Sequence, residues 1–147
     1  MDYRDAFRIS AAGMAGEKLR VDVTALNLAN MNSSAKTAAG LFKPLSVVAQ
    51  SRGVSFEGLM QATQLVPAGA LAIPEARVEA QDVAPRYVHD PAHPHADERG
   101  MVAYPGVNHA REMVNLVAAL RSYEANVVAV NTTRSLAQRA LDIGGRQ

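Results

Sequence analysis

Proline placement constrains this chain more than any other feature. All seven prolines lie between Pro44 and Pro105. Both ends lack proline and carry helix-period apolar patterns, so they can run as long uninterrupted helices, whereas the middle cannot. The expected fold is mainly α with a small β-containing middle region, its long N- and C-terminal helices packing as a coiled-coil-like pair. Three segments follow: residues 1–35 as the first helix and its end, 36–107 as an irregular and β middle, and 108–147 as the second helix.

From Asp2 to about Met31 the sequence favours helix, with Asp2 placed to cap it and Asp5 in the first turn, where the helix dipole favours negative charge. Two stripes run along it in alternating steps of four and three. One is Ala12, Gly16, Leu19, Val23, Leu26, Asn30; the other is Phe7, Ala11, Met14, Lys18, Val21, Ala25, Leu28. A helix on a globular surface needs one such stripe, so two argue for contact on two sides. Gly13 and Gly16, with Ala11, Ala12 and Ala15, make a small-residue surface that a neighbour can approach closely. The polar run Asn30 to Ser34 should end the helix, because short polar side chains compete for backbone hydrogen bonds.

In the middle, Leu45 to Ala49 and Val54 to Phe56 read as short strands at hairpin-like spacing around Ser51-Arg52-Gly53. Leu59 to Val66 is ambiguous, and Pro67-Ala68-Gly69 reads as loop. Ala76 to Ala84 alternates as a strand with one solvated face, and Arg86 to His89 extends it beyond Pro85. Asp90 to Gly100 reads as an irregular loop, and Met101 to Tyr104 as a last strand before the Pro105-Gly106 turn. Asn108 is a good N-cap for the second helix, with Glu112 in its early turns and Gly144-Gly145 past its end. Its apolar positions, Met113, Leu116, Val117, Leu120, Tyr123, Val127, Val130, Ala137 and Leu141, again exceed one narrow stripe. Spanning Asn108 to Ile143, it would be about 50 Å long at 1.5 Å per residue, longer than most small domains are wide.

Charge is nearly balanced, with fifteen Lys and Arg against fourteen Asp and Glu, and no segment concentrates the basic face that a phosphate backbone or anionic lipid requires. Nucleic acid is therefore not an expected partner. With no cysteine there is no disulfide framework, zinc thiolate or thiol nucleophile. Asp2, Arg4, Asp5 and Arg8 interrupt what a secretory signal would need as an apolar run, and no stretch approaches a membrane span of roughly 20 residues.

The sharpest candidate for chemistry is the cluster His89, Asp90, His93, His95 and Asp97, whose imidazoles and carboxylates are zinc-ligand types. Pro91 and Pro94 restrict how it can converge, and its spacing is not a recognised metal motif. A solvated or proline-shaped loop is the competing reading. No nucleophile elbow or glycine-rich phosphate loop appears, so neither a catalytic residue nor a cofactor site is expected, and the chain is not expected to be an enzyme. Glu124 lies among apolar residues near Tyr123 and reads as a helix-surface carboxylate pairing with Arg121 or with a neighbouring chain. Asn27, Asn30, Asn126 and Asn131 stand on helix segments, where an asparagine either specifies register in a seam or faces water. Both readings stay open from sequence.

Three sets of residues carry a family resemblance. Met1-Asp2-Tyr3 through Ala6-Phe7, the small residues Ser10 to Met14, and above all Asn27-Leu28-Ala29-Asn30-Met31-Asn32 resemble the N-terminal signature of the bacterial flagellar rod and hook proteins. Ser122-Tyr123-Glu124-Ala125-Asn126-Val127, followed by Asn131, is similar to the partner signature at the other end. Tyr87 to Pro94, followed by Gly100 to Asn108, resembles the proximal-rod members of that family. The resemblance covers residues 1 to 32 and about 86 to 144; the alanine-rich stretch from 33 to 85 departs from it.

It implies a structural subunit of the proximal rod in the periplasm, exported by the flagellar type III apparatus without a cleaved signal. Terminal helices would pair within the subunit and stack helically on copies of itself and on other rod subunits, transmitting torque. The residues expected at the assembly interface are Phe7, Met14, Leu19, Val23, Leu26, Asn27, Asn30, Met113, Val117, Leu120, Tyr123, Asn126, Val127 and Asn131. The alternatives are a metal-binding protein or metalloenzyme using the His89 to Asp97 loop, and a soluble helical adaptor.

Overall fold

The computed structural model describes residues 3–50 and 75–144. Helix α1 spans Tyr3–Asn30, a single 3-10 turn follows at Ala38–Gly40, and strand β1 spans Leu45–Gln50. Strands β2 (Glu75–Ala80), β3 (Arg86–His89) and β4 (Met101–Tyr104) lead into helix α2, His109–Gly144. The described residues are mainly helical, with two small antiparallel sheets among them, β1–β2 and β3–β4, in the middle of the chain.

Both helix ends expected at the centre of the chain form as their local chemistry dictates. At the close of α1 the Asn30 carbonyl accepts from the Ser33 amide at 3.0 Å and the Ser33 hydroxyl at 2.7 Å, while the Asn30 side chain donates back to the Leu26 carbonyl at 2.9 Å. The Ser33 bonds satisfy a carbonyl that has no partner within the helix, and the Asn30 side chain adds a second donor to the Leu26 carbonyl. At the start of α2, Asn108 Oδ1 accepts from the Arg111 amide at 3.0 Å, as an N-cap does.

α1 and α2 run in opposite directions along a common seam. Asn27 meets Glu112 near one end, and Gly13 meets Asn126 fourteen residues away on each helix. A Cβ built on Gly13 would lie 3.0 Å from Asn126 Nδ2, so glycine lets the two backbones approach to the point where the asparagine amide fills the gap. Asn126 in turn donates to the Ser122 carbonyl of its own helix at 3.1 Å.

In the middle region, β1 pairs with β2 over all six residues, from Leu45 opposite Ala80 to Gln50 opposite Glu75. The hairpin expected between β1 and Val54 to Phe56 falls, like Leu59 to Val66 and Pro67 to Gly69, outside the described residues. β2 stops at Ala80, four residues short of the expected strand, and Arg86 to His89 does not extend it but pairs with Met101 to Tyr104. Pro85 between them has no amide hydrogen to continue a ladder, so the chain changes sheets there. The sheet β1–β2 lies along α1, where the Gly16 position is 3.8 Å from the Ala76 Cβ.

The buried apolar residues are few among the described ones: Val23, Val102 and Ala119, with Pro44 and Pro105 beside them. Far more apolar side chain faces outwards than inwards.

Candidate assembly surface

The intrasubunit seam is built from small and polar side chains. Thr24 and Asn27 are buried on α1, Ala119 is buried on α2, and Ser10, Gly13, Glu112, Asn115, Ser122 and Asn126 are half-buried at seam spacing. Asn27 is the most heavily used of them. Its Oδ1 accepts from the Leu45 amide at 2.9 Å and its Nδ2 donates to the Leu45 carbonyl at 2.8 Å, so the side-chain amide pairs with β1 as a neighbouring strand would. The same Nδ2 reaches Glu112 Oε2 at 3.2 Å. One side chain, 2% exposed, joins α1, β1 and α2.

Of the residues expected at an assembly interface, the structure places Val23 and Asn27 inside the subunit. Phe7, Met14, Leu19, Asn30, Asn126 and Val127 are half-buried. Leu26, Met113, Val117, Leu120, Tyr123 and Asn131 are exposed, Leu26 by 44% and Val117 and Leu120 by 45% each. Sequence reasoning missed Thr24, Ala119 and Glu112 as seam residues. The only available signal was the step of fourteen between Gly13 and Asn27, which hydrophobicity alone does not mark.

A groove of about 410 Å³ runs beside α1, bordered by Ile9, Ala12, Gly16, Val47, Ala49 and Ala76. Its charged members, Glu17 and Arg20, pair with each other at 3.1 Å.

The histidine loop is a braced turn between β3 and β4. Asp97 Oδ1 accepts from the Arg99 and Met101 amides at 2.9 and 2.8 Å. The Asp90 amide donates to Gly100, the His93 amide to Asp90, and the Ala96 amide to His93. Gly100 has φ of 71°, a conformation that side-chain-bearing residues rarely adopt, and a Cβ there would press on Pro91 at 3.0 Å. His93 Nδ1 accepts from the His95 amide at 3.1 Å, and His95 Nδ1 faces the Ser34 hydroxyl at 2.9 Å, tying the loop to the turn after α1. Among the described residues, no three His, Asp or Glu side chains converge on a common metal position. Replacing both His93 and His95 with Ala is expected to cost about 1 kcal/mol of stability per lost hydrogen bond and to leave the helix pair folded. Thermal melts and zinc analysis check this; stoichiometric zinc in the parent chain, lost in the double variant together with the fold, would refute it.

The geometry defines a class of protein before it defines a member: a building block, two long helices held in fixed register with apolar side chains turned outwards. Comparison with known proteins gives the member. Residues 98–143 match the family model for the flagellar basal body rod FlgEFG protein C-terminal region. The chain is 35% identical over 145 residues to the flagellar basal-body rod protein FlgC of Bacillus subtilis, covering 95% of this chain and 96% of that protein. It is 33% identical to FlgC of Aquifex aeolicus, with 97% of each chain covered, and 32% identical to FlgC of Salmonella typhimurium, with 98% and 99% covered. The chain belongs to the FlgC family of flagellar basal-body rod proteins.

Proposed function

We propose that this chain is a structural subunit of the flagellar basal-body rod, assembling helically with copies of itself and with other rod subunits to transmit torque, and that it performs no catalysis. The observation that carries the reading beyond family membership is the outward placement of Met113, Val117, Leu120 and Tyr123 along α2, each between 38 and 45% exposed. Apolar positions repeated at helix spacing and left open to water are stabilised when another helix covers them. Different surfaces meeting in a repeated contact give an open helical array rather than a closed ring, which suits a shaft.

In this reading the rod lies in the periplasm, and the subunit reaches it through the flagellar export apparatus without a cleaved signal. Its partners are proteins, not nucleic acid. No helix among the described residues is long and apolar enough to cross a membrane. Mass spectrometry and immunogold labelling of isolated basal bodies test the proposal, alongside deletion of the encoding gene. The expected result is the intact chain in the rod fraction and a non-motile, rodless deletion strain; a motile deletion strain, or the chain's absence from basal bodies, would overturn it.

A further inference from the structure

Two outer stripes remain once the intrasubunit seam and the sheet are accounted for. On α1 the stripe is Phe7, Ala11, Met14, Lys18, Val21, Ala25, Leu28; on α2 it is Met113, Val117, Leu120, Glu124, Val127, Asn131. All these residues are exposed or half-buried. Each stripe stands one residue beyond the seam: Met14 follows Gly13, Leu28 follows Asn27, Met113 follows Glu112 and Val127 follows Asn126. One residue turns the helix by about 100°, so the stripes look away from the seam. Sheet β1–β2 touches the other flank of α1, at Gly16.

The stripes match each other. Both advance in alternating steps of four and three, the spacing of a helix-on-helix seam. Both begin with three apolar residues and hold one ionised residue in the fourth place; beyond it the α1 stripe stays apolar, and the α2 stripe continues with Val127 and then the polar Asn131. The two ionised residues have opposite signs, Lys18 and Glu124, and neither has an ion pair among the described residues.

We infer that the α1 stripe of one subunit packs on the α2 stripe of a second copy of this chain, in a register fixed by Lys18 against Glu124. The inference rests on the rod-subunit reading and specifies one of its contacts. With the charges aligned, three apolar residues of the α1 stripe meet Met113, Val117 and Leu120 on one side of Glu124, and the first α1 residue on the other side meets Val127, whichever way the helices run. A slip of seven residues sets Lys18 against Val117 or Asn131 and Glu124 against Ala11 or Ala25. Each charge would then lose its counter-ion, and Glu124 would face the apolar Ala11 or Ala25, which is unfavourable. Because the two stripes are different surfaces, each subunit offers one to the copy before it and the other to the copy after it.

The chain contains no cysteine, so introduced ones report without background. Lys18→Cys and Glu124→Cys are introduced together into the full chain, and isolated basal bodies are treated with a short bis-maleimide. The expected product is a ladder of dimers and higher multiples of this chain, absent from each single-cysteine variant. Charge reversal supplies a second readout: Lys18→Glu or Glu124→Lys alone should reduce assembled rods by about tenfold, and the double reversal should restore most of them. Circular dichroism checks that these exposed substitutions leave the subunit folded. Cross-links to a different protein only, a dimer with no higher multiples, or a double reversal no better than the singles would overturn the inference. Absence of the wild-type chain from basal bodies would instead remove the rod reading, and this contact with it.

Discussion

Leu120→Asp is expected to yield a folded, exported subunit that builds no rod, and a non-swimming cell. In the isolated subunit Leu120 is 45% exposed, so exchanging it for a carboxylate removes modest apolar burial and costs the fold about 1 kcal/mol or less. Between two packed helices the same carboxylate is desolvated without a partner, which costs several kcal/mol, and a repeating assembly meets that cost at every copy. Leu26→Asp, 44% exposed at the far end of α1, should behave alike. Circular dichroism of the purified variants, blots of the secreted fraction and swimming assays separate the two effects. Normal swimming by both variants would show that these residues do not line a packing surface, whereas loss of helix content in the isolated variants would relocate the effect to the fold.

The second large effect is expected at Asn27, and here the fold itself should fail. Asn27→Asp keeps an acceptor for the Leu45 amide but loses the donor to the Leu45 carbonyl, and it brings a carboxylate against Glu112, whose Oε2 is 3.2 Å from Nδ2 in the parent chain. Two like charges facing each other in a buried site, with a carbonyl left unpaired, should cost about 3 kcal/mol or more. Glu112→Gln added to Asn27→Asp replaces one carboxylate with an amide that can donate to the other, so the pair should recover a substantial part of the loss. Denaturant melts of the four proteins give the coupling directly. Additive losses would mean that Asn27 and Glu112 do not interact, and an unchanged melting point in Asn27→Asp alone would remove the junction argued for it.

How much of this was legible in the sequence follows the distance over which each signal acts. The long helices were readable because their evidence is local: proline-free runs, polar residues at Asn30 to Ser34, and the Asn108 cap whose side chain bonds three residues on. β3 and β4 were readable as extended segments, but their pairing with each other was not, because β3 sits directly after β2 in the chain and reads as its continuation. The seam was the least legible element. Apolar periodicity drew attention to Leu26, Val117 and Leu120, all of which face outwards, while the residues that hold the helices together are Gly13, Thr24, Asn27, Ala119 and Asn126. Small residues mark close approach only when the partner is known. The role of Asn27 depends on Leu45, 18 residues away, and on Glu112, 85 residues away, and no spacing rule reaches that far.

The two contacts that register the helix pair, Asn27 with Glu112 and Gly13 with Asn126, act as dowels do in a joined beam. An apolar seam alone resists separation but slides under shear, since one heptad of side chains looks much like the next. Here a shift of α1 by seven residues along α2 would set Asn126 against Ala6 or Arg20 in place of Gly13, where the close approach has no room for a side chain. It would also strand the Glu112 carboxylate, which would lose the Asn27 amide. Both obstacles must be overcome at once, because the two pins lie fourteen residues apart on each helix, roughly 21 Å along the axis. A subunit pinned at two points carries axial load as one rigid strut, so deformation under load falls first on the contacts between subunits.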